Sequence, residues 1–338
     1  MSRVAESVRL GFTGDVMLGR LVNEKQQHRP PEAVWGSMRE QLAGLDGLFI
    51  NLECCLSTRG SKWELTYRPF HFRADPAWVI PALQDVDVSW LTLANNHVLD
   101  YGAVALEDTL SALDGADISF SGAGRTEDDA WTPTRVQVAG LDVAFVSFTD
   151  NTPEYAATDD APGTAYVDID PDDEACLERV ESALETAAED VPDLLIASLH
   201  WGPNMREYPP SSFQEFAHWL VDQGVDILHG HSAHVFQGVE VYDGSAILYD
   251  TGDFVDDYVV DGDLRNDRSF LFVFDVASDG RLLELRLLPT EIDDFAVHRA
   301  PPAVASWARE TMRTRSESFD TEFETEGDGL RVSLDADS

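Results

Sequence analysis

The feature that most constrains this sequence is a set of short apolar runs, each ending in polar residues able to bind metal. Val8–Phe12 leads into Thr13-Gly14-Asp15, and Leu48–Ile50 into Asn51-Leu52-Glu53. Val88–Leu93 leads into Ala94-Asn95-Asn96-His97. Leu194–Leu199 leads into His200-Trp201-Gly202, and Val225–Leu228 into His229-Gly230-His231, with His234 close behind. Short runs rich in Val, Ile, Leu and Phe read as buried strands. Helix-like stretches lie between them at Ala103–Leu113, Asp172–Ala188 and Ser211–Gln223, the last opened by Pro209-Pro210 with Ser211 or Ser212 as cap, and stopped at Gly224. Strands alternating with helices indicate an α/β fold. In such sheets ligands collect at the carboxyl ends of the strands, where these polar clusters sit.

Each cluster has an ordinary alternative: a turn for Gly-Asp, a hydrogen-bonded core residue for a lone His, loop punctuation for Asn-Asn. Their convergence gives them weight. Asp15, Glu53, Asn96, His200, His231 and His234 offer oxygen and imidazole donors, which suit one or two divalent ions such as Mn, Fe, Zn or Mg. No cysteine takes part, which argues against a structural zinc site. His231 and His234 share one tight loop. Two metals about 4 Å apart clamp an oxyanion and generate hydroxide at neutral pH. Glu53 could bridge such a pair, and His97 is the candidate to protonate a leaving group. Arg20, Asn95 and Trp201 are candidate substrate contacts, with Arg68 and Arg73 as further anion-binding candidates. Surface ion pairing is an equal alternative for the arginines, and Arg20 leads because it follows Asp15 closely. His229 reads as a support for a ligand.

Composition settles where such a protein works better than what it does. Against 63 acidic residues stand 23 basic ones, for a formal net charge of −40. The acids are spread along the chain, and lysine occurs only as Lys25 and Lys62. This reads as a surface adapted to very high salt, where repulsion is screened at short range. No basic run is present to track nucleic-acid phosphates. Cys54, Cys55 and Cys176 form no framework of disulfides and read as small apolar filler. The N-terminus lacks a signal-peptide run, and no stretch reaches the roughly 20 apolar residues of a membrane span; the expectation is a cytoplasmic protein. Ala246–Tyr249, Ser269–Val276 and Leu282–Leu288 read as strands of a second sheet or an antiparallel extension. The expected division is a main domain over 1–300 and an acidic C-terminal segment over 301–338. In that segment Trp307–Met312 forms a short helix, and the chain beyond Ser316 is a loosely held tail.

The motifs GDVMLGR at 14–20, NLE at 51–53, LANNHVLDYG at 93–102, GAGR at 122–125, HWG at 200–202, GHSAHVFQGVEVYDG at 230–244 and YDTGDF at 249–254 carry a resemblance. They resemble the CapA (poly-γ-glutamate capsule biosynthesis) family of the calcineurin-like metallophosphoesterase superfamily, in the family's order over residues from about 8 to 295. The resemblance implies a four-layer α-β-β-α sandwich of two mixed sheets. It also implies Asp15 and His234 on a first metal, Glu53 bridging, and Asn96, His200 and His231 on a second, with His97 as acid. Met17 stands where the superfamily usually places a His ligand, and one extra residue separates His231 from His234. Asp253 stands where the family more often has Asn, and Asn204 where many members have Glu; both could alter substrate contacts. The implied function is a metal-dependent hydrolase of a phosphoester, or of a γ-glutamyl or other anionic polymer linkage, in capsule biosynthesis. The alternatives are a non-catalytic accessory that works with polymer synthesis or export partners, and a housekeeping phosphoesterase on small molecules.

Overall fold

Side chains alternate between the two faces of a strand, and here that alternation sorts the apolar residues into three separate cores. Along Leu141–Thr149, Val143 and Phe145 enter one core, while Ala144, Val146 and Phe148 enter another. Along Leu194–His200, Leu194 and Ile196 join the first of these, and Leu195, Ala197 and Leu199 the second. Three cores require four layers, and the computed structural model, which describes residues 7–334, has them.

The chain builds half of one sheet, then all of a second, then returns to the first. The opening strands are β1 (Val8–Val16), β2 (Gly47–Leu52), β3 (Val88–Thr92) and β4 (Ser119–Ser121). They pair in parallel in that order. The second sheet has six strands: β5 (Thr134–Val138), β6 (Leu141–Thr149), β7 (Leu194–His200), β8 (Ile227–His231), β9 (Val239–Tyr242) and β10 (Ser245–Leu248). Its centre, β6-β7-β8-β10, is parallel, and β5 and β9 close its edges antiparallel. The chain then re-enters the first sheet. There β11 (Asp253–Val255) runs parallel to the end of β1, and β12 (Arg268–Val276) and β13 (Leu282–Asp293) extend the sheet antiparallel. β14 (Ala296–Arg299), β15 (Glu324–Glu326) and β16 (Gly329–Ser333) complete its ten strands.

Helices α1 (Arg20–Gln26), α2 (Pro76–Asp85) and α3 (Ala103–Asp114) cover the outer face of the first sheet through Val22, Val79, Leu83, Leu106 and Leu110. Helices α4 (Glu174–Ala188) and α5 (Ser211–Asp222) cover the second. Asp173 starts α4 by accepting from Ala175 N at 3.1 Å, and Cys176, Val180, Ala183, Leu184 and Ala187 form its buried stripe. Ser211 and Ser212 do not cap α5; Pro210 occupies that position without a side-chain hydrogen bond. Among the described residues, no helix is long and apolar enough to cross a membrane.

The C-terminal segment differs from expectation. Helix α6 (Pro302–Ser316) is longer than Trp307–Met312, and it sends Ala308 and Met312 into the core between the sheets. Beyond Ser316 the chain is no loose tail as far as Leu334. β15 and β16 form a hairpin, and β16 pairs with β13 from Leu287↔Leu330 to Glu284↔Ser333. Leu330, Val332 and Leu334 are buried at every second position, and that burial holds an otherwise acidic strand in place.

Candidate metal centre

Where the strands end, the core between the sheets turns polar. The face of β7 that carries Leu194 and Ile196 continues with Ser198 and His200, and the face of β8 that carries Ile227 continues with His229 and His231. Parallel register sets Ser198 beside His229 and His200 beside His231. On the facing sheet, β2 carries Phe49 into the same core, so Asn51 points the same way. Asp15 reaches that face through a bulge: between the Phe12↔Phe49 and Asp15↔Asn51 pairs, β1 has one residue more than β2. Gly14 permits the close packing this needs, since a Cβ there would lie 1.8 Å from the Gly252 carbonyl oxygen.

Asn51 is the hub of the cluster. Its Nδ2 donates to Asp15 Oδ1 at 2.7 Å and lies 3.4 Å from both Glu53 Oε2 and His200 Nδ1. Its Oδ1 accepts from Asn95 Nδ2 at 2.9 Å. Around it stand His231 and His234, 3.7 and 3.4 Å from the Asp15 carboxylate, and His200 and His97, 3.9 and 3.7 Å from Glu53 Oε1. Two groups of potential metal ligands result, Asp15–His200–His231 and Asp15–Glu53–His234. Asp15 is common to both, whereas the resemblance gave the bridging place to Glu53.

A hydrogen-bond relay assigns the tautomers. His229 Nε2 donates to the Thr13 carbonyl at 2.8 Å. Burial drops the His229 pKa to about 4, so the ring is neutral and its Nδ1 accepts from Ser198 Oγ at 3.1 Å. Ser198 Oγ in turn accepts from His231 Nε2 at 3.2 Å, which leaves His231 Nδ1 without a proton. His200 Nδ1, 3.0 Å away, therefore carries the proton between them, and His200 Nε2 is bare. Burial lowers the His200 pKa to about 3 and holds that of His231 well below its usual value, so both stay neutral, the form that binds metal.

The carboxylates divide. Burial, reinforced by the Asp15 charge, raises the Glu53 pKa well above its usual value. Burial opposes the charge of Asp15 as well, but the hydrogen bond to His234 and the charge of that ring outweigh it and hold the Asp15 pKa low. His234 also loses by burial, yet Asp253, 2.8 Å away, and Asp15 keep its imidazole well above its usual pKa.

The residues fit a divalent ion. Asp15 Oδ2, Glu53 Oε1, Asn96 Oδ1, His200 Nε2 and Asp253 Oδ2 are all buried without a hydrogen-bond partner. Buried polar atoms are otherwise almost always satisfied, and this convergence of hard oxygen and imidazole donors is what a divalent metal requires. Met17 is fully buried in the apolar core beneath and adds no donor.

The centre adjoins a cavity of about 440 Å³ lined by Asn96, His97 and His234 and also by Arg20, Arg68 and Tyr258. His97 Nδ1 donates to Asp100 Oδ2 at 2.6 Å, which directs Nε2 toward Glu53. Of the expected substrate contacts, Arg20 lines this cavity, and so does Asn204. Asn95 does not: it is fully buried, donates to Asn51 and to the Leu52 carbonyl, and accepts from His97 N, so it shapes the loop. Trp201 does not either. It packs behind the second sheet, stacked 4.7 Å from Phe213 with its Nε1 donating to the Tyr249 carbonyl. Asp253 is buried 1% exposed against His234 and acts on that ring. Arg73 stacks on Tyr101 and donates to the Arg59 carbonyl, away from the cavity lining. The sequence reading missed Asn51, Asp100 and Asp250. Asp250 accepts from Ala233 N at 2.6 Å and Gly252 N at 2.8 Å, and so braces the His231–His234 loop. His-x-x-Asp at 97–100 and the Asn-x-Glu spacing at 51–53 were the available signals.

Comparison with known proteins bears on the family and the fold. Residues 9–258 match the family described as "Bacterial capsule synthesis protein PGA_cap". A probable polyglutamine synthesis accessory protein of Mycobacterium tuberculosis is 34% identical over 309 residues, covering 88% of this chain and 80% of that one. The capsule biosynthesis protein CapA of Bacillus anthracis is 29% identical, covering 86% of this chain and 69% of that one. Among solved structures, a phosphatase from Mycoplasma pneumoniae shares the fold with a TM-score of 0.50 at 11% identity, covering 85% of this chain and 94% of that one.

Proposed function

From the premise that the chain belongs to the bacterial capsule synthesis protein family PGA_cap (CapA), with its calcineurin-like metallophosphoesterase fold, we propose that it is a metal-dependent hydrolase. Its substrate is a phosphoester, or a γ-glutamyl or related linkage in an anionic polymer, and its setting is poly-γ-glutamate or capsule biosynthesis. The observation that carries this reading is the set of buried, unpartnered ligand atoms from Asp15, Glu53, Asn96, His200 and Asp253, with Asn96 lining the adjoining cavity.

Asp15, Glu53, Asn96, His200, His231 and His234 would hold one or two ions of Mn, Fe, Zn or Mg. When bound, the metal supplies Lewis acidity and activates water at neutral pH. The protein's own groups do the rest. The Ser198–His229 relay keeps a lone pair on His231. Asn51 holds Asp15 and Glu53 side by side. His97, oriented by Asp100, carries a proton at Nε2 to a leaving group bound in the cavity it lines. The acidic surface supports an origin in high salt.

A second reading is an accessory protein that keeps the metal without turnover; the mycobacterial relative is called a probable polyglutamine synthesis accessory protein. It is favoured by Met17, which removes one usual ligand. Metal content by elemental analysis, paired with hydrolysis of aryl phosphate mono- and diesters in Mn²⁺, separates the two. The hydrolase reading expects bound metal, turnover, and loss of turnover in His97→Ala with metal retained. Metal without turnover on these esters or on γ-glutamyl polymers sinks it, and absence of any bound metal sinks both readings.

A further inference from the structure

The cavity that adjoins the ligands has a chemistry that metal binding does not use. Arg20 and Arg68 both line it. Most arginines in this acidic chain end on carboxylates; Arg68 makes no ion pair among the described residues, and its Nε and Nη2 are buried without a hydrogen-bond partner. The Arg20 Nε lies 3.3 Å from Asp257, but its Nη1 is also buried and unpartnered. Each guanidinium is fixed by aromatic faces: Arg20 stands 4.5 Å from the Phe70 ring centre and 5.0 Å from Phe72, and Arg68 stands 4.4 Å from Tyr155. Stacking orients the planar fork without consuming its N–H groups. Two oriented forks with spare donors, in a protein of net charge −40, are a costly arrangement unless an anion completes it.

We propose that Arg20 and Arg68 form an anion subsite beside the metal centre, so that the site selects substrates bearing a second anionic group, a carboxylate or a phosphate, next to the bond that is broken. The selection for catalysis rests on the hydrolase reading; the binding of an anion does not. Asp257 tempers the charge of Arg20 and anchors the Leu21 backbone, and Glu154 is near enough to interact with the Arg68 charge, but the unpartnered N–H groups of both forks stay free for an anion. Val259, which also lines the cavity, is exposed.

The test begins with metal-free protein in EDTA at fixed ionic strength, with binding of inorganic phosphate and of succinate measured by calorimetry. Wild type should bind at least one of them. Arg68→Gln should weaken that binding at least tenfold, and Arg68→Lys should fall between. Preference for phosphate or for succinate names the natural group, and either supports the subsite. Equal affinity in Arg68→Gln, or no binding to wild type, overturns it. If Arg68→Gln fails to fold by circular dichroism, Arg68→Lys and Arg20→Lys carry the same comparison. With metal restored, an aryl phosphate bearing a ring carboxylate should be preferred over the plain ester, and the preference should collapse about tenfold in Arg68→Gln. Anion binding without hydrolysis leaves the subsite standing and refutes the hydrolase reading. Hydrolysis with no such preference refutes the subsite alone.

Discussion

Replacing Asn51 by Asp changes one NH₂ group into an oxygen and creates no cavity. The new oxygen would sit where Nδ2 now lies, 2.7 Å from Asp15 Oδ1. Two full charges at that distance repel by about 6 kcal/mol at an effective dielectric near 20. Retaining a proton on the pair costs less. Against an ordinary Asp pKa of about 3.9, it costs roughly 1.4 kcal/mol for each pH unit above that value. The folded variant then binds one more proton than the unfolded chain, so its stability falls as pH rises above about 3.9. The expected destabilisation relative to wild type is about 1.5 kcal/mol at pH 5 and about 4 kcal/mol at pH 7. The assay is urea unfolding in EDTA, followed by tryptophan fluorescence, in roughly 1 M KCl to screen distant surface charge. Saturating Mn²⁺ should shrink the penalty at pH 7, because the added negative charge faces the cation. A penalty that is the same at both pH values refutes the reasoning, because Asn51 would then not separate two carboxylates in the folded protein.

Ser198→Ala breaks the relay that fixes the His231 tautomer, and should weaken metal binding roughly 10- to 100-fold by calorimetry; wild-type affinity would remove the relay's role. Asp100→Asn takes the carboxylate from His97 Nδ1 and should cut turnover about tenfold or more with metal content unchanged; an equal loss of metal would mean that the residue acts on the centre itself. Leu330→Ala empties a buried position in β16 and should cost about 2–4 kcal/mol in urea unfolding, against none if the hairpin were loose. Asp150, whose pKa burial raises to about 6 from 3.8, holds its proton longer folded than unfolded, so its contribution is lost as pH rises through that window. Asp150→Asn should therefore gain stability over wild type as pH goes from about 4 to about 6, by roughly 1–3 kcal/mol at the plateau; a gap that does not change with pH would contradict this.

Strand ends announce themselves in sequence, because an apolar run that stops at Asp15, Glu53 or His200 places a donor at the lip of a sheet. Alternation carried more than was read from it. Ser198 and His200, like His229 and His231, sit two apart, so each pair shares a face. That spacing signals a relay once the two strands are known to be neighbours. The neighbour relation itself, Ser198↔His229, is tertiary and has no local trace. The same holds for Asn51 and Asp250, whose importance lies in what they touch. Asn95 and Trp201 were misplaced because adjacency to a ligand does not say which way a side chain faces. The C-terminal strand was hidden by its acids, although Leu330, Val332 and Leu334 kept a period of two.

The pairing of β11 with β1, which sets Asp253 beside Asp15, has a consequence for how the protein is made. The strand synthesised near the end of the ligand set slots against the strand synthesised first. A ribosome that has released only the first sheet's opening strands displays Asp15, Glu53 and Asn96 with no imidazole from the second sheet to face them. On the proposed ligand set, a nascent chain lacks its imidazole donors until the segment from His200 to His234 has emerged, so metal binding would wait for a polypeptide whose two sheets have met.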